Sequence, residues 1–241
     1  MDSPIRSEYA PYAPVPDLVW TGALTALLML GADLLVEGGL AMLVLATALF
    51  AIMASLLIRY WPAGRDFGWA NRATLLRGSL VISLISVAPF VSGLGNWLWL
   101  YGALSLLALI LDGVDGTIAR RTGSQTAFGA RFDMELDALF ILGLCVAVLA
   151  LGKTGPWVLA LGFMRYGFVV AARVLPFLNR SLPDSFRRKT VCVWQVATLM
   201  IAVLPMTSAA FATWTLAIAL LLLTYSFITD MHWLYQRRIT T

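Results

Sequence analysis

The sequence predicts an all-α protein that crosses a membrane many times, and three observations carry that expectation. Of the 241 residues, 60% are hydrophobic and only 12% are charged, against about 25% charged in soluble domains. The apolar residues fall into runs of about 20, the length a helix needs to cross a hydrocarbon layer. The basic residues gather in alternate gaps between those runs, as they do in the loops on one side of a membrane. The net charge of +4 therefore sits at helix ends rather than in a surface stripe, which excludes a nucleic-acid-binding face.

Eight spans are expected, at 18–36, 39–59, 73–92, 97–118, 130–151, 156–175, 190–206 and 210–231. Residues 1–16 are polar and Pro-rich, with no cleavage site after the first apolar run, so no signal peptide is expected. Asp33 in the first span needs a partner or a place near the interface, and no chemistry is read there. The linker Tyr60–Ala70, YWPAGRDFGWA, reads as a break at the membrane surface with room for a short amphipathic helix. It divides the chain into 1–70, with two extra spans, and a six-span domain at 71–241.

One set of loops carries Arg59, Arg65 and Arg72, then Arg120, Arg121 and Arg131, then Arg180, Arg187, Arg188 and Lys189, and finally Arg237 and Arg238. The opposite loops hold one basic residue, Lys153. The positive-inside rule places both termini in the cytoplasm, together with the junction of spans four and five. That orientation suits a bacterial inner membrane. Cys145 and Cys192 lie inside apolar runs and read as ordinary core- or lipid-facing residues.

The chemistry gathers between Asp112 and Asp137, in DGVDGTIARRTGSQTAFGARFDMELD. Asp112 and Asp115 are spaced i, i+3, and Asp133 and Asp137 are spaced i, i+4, so each pair shares a helix face. Four acids beside hydrocarbon repel one another unless a positive group neutralises them. A pair of divalent ions is the simplest such group. Oxygen donors without a nearby His or Cys favour Mg²⁺, Mn²⁺ or Ca²⁺ over zinc. Gly116, Ala119 and Gly129 are small enough to admit a ligand, and Arg120 suits a phosphate oxygen. Two metals beside an arginine form a site for a phosphoryl group, and in a membrane that points to a lipid-linked diphosphate.

These residues carry a resemblance. Asp112, Asp115, Gly116, Ala119, Arg120, Gly129, Asp133 and Asp137 match the signature of the CDP-alcohol phosphatidyltransferase family, eight positions within 26 residues. Asn71, Thr74 and Arg77 in NRATLLR are similar to the N-x-x-T-x-x-R stretch that opens the family's first core helix. The likeness covers about 71–231 and leaves the first two spans outside. It implies transfer of a phosphatidyl group from CDP-diacylglycerol to an alcohol, with release of CMP, in phospholipid biosynthesis. It implies Asp112, Asp115, Asp133 and Asp137 as ligands of two Mg²⁺ or Mn²⁺ ions, with Asp137 also the general base. Gly116, Arg120 and Thr126 match positions that contact the CDP moiety. Asn71, Thr74, Arg77, Ala119 and Gly129 belong to the same expected CDP-lipid site. Many members of the family pair as dimers, so a homodimer is one assembly the resemblance allows.

The acceptor is read from later spans. Arg165 and Arg173 stand about two helical turns apart in span six, similar to an Arg-Glu…Arg stretch of the family's phosphatidylglycerophosphate synthase branch, with Tyr166 in place of the Glu. Arg187, Arg188, Lys189 and Thr190 fall where that branch has a basic stretch, without its Gly. Arg165, Arg173, Arg188 and Lys189 are therefore expected at an acceptor that bears a phosphate, with glycerol 3-phosphate first. An inositol phosphate, phosphatidylglycerol or an amino alcohol are the alternatives. The alternative reading of the loop cations is the positive-inside rule and anionic headgroups alone. Glu135 lies about 200° around the helix from Asp133 and is expected to pair with Arg131 or Arg165. His232 is given no role. A coupled transporter is the competing class, and it requires acids near the midplane and broken helices in repeated halves.

Overall fold

A computed structural model of the chain describes residues 14–36, 38–61, 67–122, 127–179, 182–183 and 185–238. Eight long helices follow one another among these residues: α1 Val15–Val36, α2 Gly39–Tyr60, α3 Gly68–Val87, α4 Leu98–Thr122, α5 Ala127–Ala150, α6 Leu159–Val174, α7 Phe186–Val203 and α8 Ala209–Arg238. Five described stretches are long and apolar enough to cross a membrane: Val15–Val36, Gly39–Tyr60, Asn71–Gly113, Pro156–Val174 and Ala209–Arg237. The third contains all but the first three residues of α3 and nearly two thirds of α4. Large apolar side chains such as Trp20, Leu34, Val44, Trp214 and Leu221 point outward, the arrangement lipid requires. The chain is an all-α polytopic membrane protein.

Backbone chemistry sets the helix ends. Pro89 follows the last turn of α3, and the chain tightens into a 3₁₀ segment, Ala88–Trp97, so this helix stops short of the expected 92. Gly95 takes φ 50° within that segment, a conformation that favours glycine. α6 ends before Pro176 for the same reason. α7 begins at Phe186, so Arg187, Arg188 and Lys189 form its first turn instead of the loop expected from the sequence. Of the linker, Trp61 packs on the buried Phe67, ring centroids 4.9 Å apart. The rest of the expected surface helix, 62–66, lies outside the described residues.

α3 is the central helix. It packs against α1, α2, α4 and α5, and Leu75, Arg77, Ser79, Val81, Leu84 and Ser86 along it are all buried. Its serines are short enough to let neighbours approach and satisfy their hydroxyls within the helix. Ser83 donates to the Ser79 carbonyl at 2.9 Å and Ser86 to that of Ile82 at 2.8 Å. Close contact continues outward: a Cβ on Gly162 of α6 would stand 2.9 Å from the Leu142 Cα of α5. α1 and α2 are fastened to this bundle by polar contacts as well as by packing. Asp17 accepts from Arg72 Nε at 3.1 Å, and Ser79 donates to the Thr21 carbonyl at 3.3 Å.

Two isolated charges of the sequence become helix caps. Asp33 Oδ1 accepts from the Gly39 N–H at 2.8 Å, which satisfies a donor at the start of α2. Lys153 follows a glycine-terminated end of α5, where the Gly152 N–H reaches the Leu149 carbonyl and the Lys153 N–H that of Val148. Its ammonium then donates to the Ala202 and Leu204 carbonyls at 2.9 and 2.5 Å, capping α7. Desolvation there holds the Lys153 pKa below the ordinary lysine value.

Candidate metal centre and active site

Three acids from two helices converge on one arginine from a third. The i, i+4 spacing on α5 turns Asp133 and Asp137 to one side, and α4 brings Asp112 beside them. One oxygen from each of the three lies within 4.8 Å of the others. Arg77 of α3 reaches all three. Its Nη1 donates to Asp112 Oδ1 and, at 3.1 Å, to Asp137 Oδ1. Its Nη2 donates to Asp133 Oδ1.

The burial is graded. The Arg77 side chain is 2% exposed, whereas Asp112, Asp133 and Asp137 are 33%, 38% and 47% exposed. The arginine therefore forms a floor on the protein side, and the carboxylates open away from it. Among the described side chains, three formal negative charges stand against one positive. Each carboxylate has a second oxygen beyond the one Arg77 engages. This set of hard oxygen donors fits a divalent Mg²⁺- or Mn²⁺-like cation and does not suit zinc.

The other expected residues divide into three groups. Asp115, Gly116, Ala119 and Arg120 continue the helical backbone of α4, but their side chains lie outside the described parts, and Thr126 lies outside the described residues altogether. Asn71 and Thr74 sit half-buried on α3, with Asn71 Nδ2 donating to the Phe67 carbonyl at 2.5 Å, and Gly129 is half-buried on α5. Arg77, expected at the CDP-lipid site, lies beneath the acids.

Two of the four expected acceptor cations, Arg165 and Arg188, are drawn into ion pairs. Arg165 Nη2 bonds Glu135 Oε1 at 2.6 Å, one of the two pairings expected for Glu135. Arg187 bonds Asp230 at 2.6 Å and the Ser226 carbonyl at 2.7 Å. Arg188 bonds the same Asp230 at 3.3 Å and also the Pro183 carbonyl. Arg173 and Lys189 are exposed. Asp230, buried at 8% exposure on α8, is absent from the sequence reading. Its signal is an acid near the end of an apolar span. Three cations in the first turn of α7 oppose the helix dipole, and Asp230 offsets them.

A polytopic helical protein whose carboxylates gather from two successive helices over one buried arginine is the class that fold and site define. The family described as CDP-alcohol phosphatidyltransferase matches residues 67–226, and the chain belongs to it. Among curated proteins, ethanolaminephosphotransferase 1 of Mus musculus is 40% identical over 70 residues, 29% of this chain and 18% of that protein. The Homo sapiens protein of the same name is 40% identical over 72 residues, 28% of this chain and 18% of its own length. Cholinephosphotransferase 1 of Gallus gallus is 28% identical over 109 residues, 40% of this chain and 32% of that protein. The chain thus spans less than a third of the length of these relatives. No solved structure matches it significantly.

Proposed function

We propose that the protein is a metal-dependent transferase of membrane lipid synthesis that moves a phosphate-bearing group from a CDP-linked donor to an alcohol and releases CMP. The observation that carries this reading is the convergence of Asp112, Asp133 and Asp137 over Arg77, on the helices that bear the family motif. Asp115 completes the ligand set from the next turn of α4. Two ions held by these acids would neutralise the diphosphate and stabilise the attacking and leaving oxygens. Arg77 fixes the three carboxylates in one place. Asp137, the most exposed of them, takes the proton from the attacking hydroxyl. Asn71, Thr74, Gly116, Ala119, Arg120, Thr126 and Gly129 surround the CDP group. The six-helix domain 71–241 carries this chemistry, and residues 1–70 are an addition to it. The site faces the cytoplasm.

An amino alcohol is the polar partner of the transfer, in place of the glycerol 3-phosphate expected from the sequence. Two facts support the change. The curated relatives are named for ethanolamine and choline. Two of the three arginines expected to grip an acceptor phosphate are engaged, Arg165 by Glu135 and Arg188 by Asp230. The test is CMP release by the purified protein with Mg²⁺ or Mn²⁺. CDP-diacylglycerol is offered with ethanolamine, choline or glycerol 3-phosphate, and CDP-linked ethanolamine or choline with diacylglycerol. Release in an amino-alcohol arm is expected. Release with glycerol 3-phosphate alone would overturn the partner, and no release in any arm would overturn the chemistry.

A further inference from the structure

A groove of about 390 Å³ runs between α2, α3 and α5, on a side of the molecule the active site does not use. Asp133 and Asp137 share one face of α5, and Arg131 and Glu135 lie about 200° from Asp133, so the groove occupies the opposite face. Its deep walls are apolar, formed by Leu49, Met53, Ile82, Ile85, Leu136 and Leu139. Its polar residues, Tyr60, Arg131 and Glu135, lie toward the ends of α2 and α5 at the membrane face that holds the carboxylates.

Length and charge specify an occupant. At 1.5 Å per residue, the lining runs about 12 Å along α5 and about 16 Å along α2. One leaflet contributes about 15 Å of hydrocarbon. The groove's length therefore matches one leaflet, the depth of a single acyl chain, and its volume lies within the range of about 300–1,000 Å³ usual for ligand sites. Glu135 in its wall is neutralised by Arg165 at 2.6 Å. Arg131 is exposed at the mouth and makes no ion pair among the described residues, which leaves a guanidinium at the level of a phosphodiester.

We propose that this groove binds a non-reacting phospholipid, with one acyl chain along α2, α3 and α5 and the phosphate on Arg131. Because α2 precedes the matched region 67–226, the site is a property of this chain's N-terminal addition.

The test uses the full chain purified in detergent. Wild type, Arg131→Gln, Leu56→Trp (Leu56 also lines the groove) and Leu139→Trp are exposed to micelles containing palmitoyl-oleoyl phosphatidylglycerol, and retained lipid is counted by native mass spectrometry. A parallel series uses uncharged diacylglycerol. Wild type should retain a single phospholipid and prefer it to diacylglycerol. At least one tryptophan variant that melts with wild type should lose retention, because the indole fills the groove. Arg131→Gln should lose the preference for phospholipid by several-fold. Equal retention by all four proteins, or no phospholipid retained by wild type, would overturn the proposal.

Discussion

Arg77→Gln removes the cation that three carboxylates share. Breaking a buried charge pair by deleting one partner costs about 3–5 kcal/mol. Here the deleted partner is 2% exposed but the acids are a third to a half exposed, so water takes up part of the uncompensated charge and about 2 kcal/mol remains. For a chain of this size that is a fall in Tm of about 4–8 °C. The loss should be largest in chelator. Removing Arg77 takes one formal positive charge from beside the acids, so a divalent ion gains more by binding the variant. The assay is thermal unfolding in detergent, in EDTA and then in millimolar Mg²⁺. The variant should melt lower in EDTA and recover more than wild type gains when Mg²⁺ is added. Identical melting in EDTA, or equal gains with Mg²⁺, would refute the shared-floor account of Arg77.

Two further substitutions examine the scaffold. Asp230→Asn should cost about 1–3 kcal/mol, because Arg187 and Arg188 lose the carboxylate that offsets the α7 dipole, and circular dichroism melting would register it. Gly162→Ala should destabilise by about 1–3 kcal/mol, since the added Cβ meets the Leu142 Cα of α5 at 2.9 Å. An unchanged melting temperature would mean that the α5–α6 contact yields at little cost.

The eight helices were legible because apolar run length and loop charge are local signals. Their ends were less so. Where Pro89 interrupts an apolar run, hydropathy continues to 92 while the α-helix stops at Val87. The basic stretch at Arg187–Lys189 reads as loop until Asp230, some 40 residues later, makes a charged first turn tolerable. The acids followed from spacing, but the seat of Arg77 did not. Its resemblance to a family position placed it beside the substrate, and only the packing of α3 between α4 and α5 places it under Asp112 and Asp133, 35 and 56 residues away. Lys153, an exception to the loop-charge rule, is explained by the open carbonyls of α7 that it caps.

The most direct test of the central claim is CMP release from the CDP donor by the purified protein, measured against Mg²⁺ or Mn²⁺ concentration for wild type, Asp112→Asn and Asp133→Asn. Release should vanish in chelator, return with the divalent ion, and fall by at least about 100-fold, roughly 2.7 kcal/mol, in each variant. Metal-independent release, or full activity without either carboxylate, would contradict it.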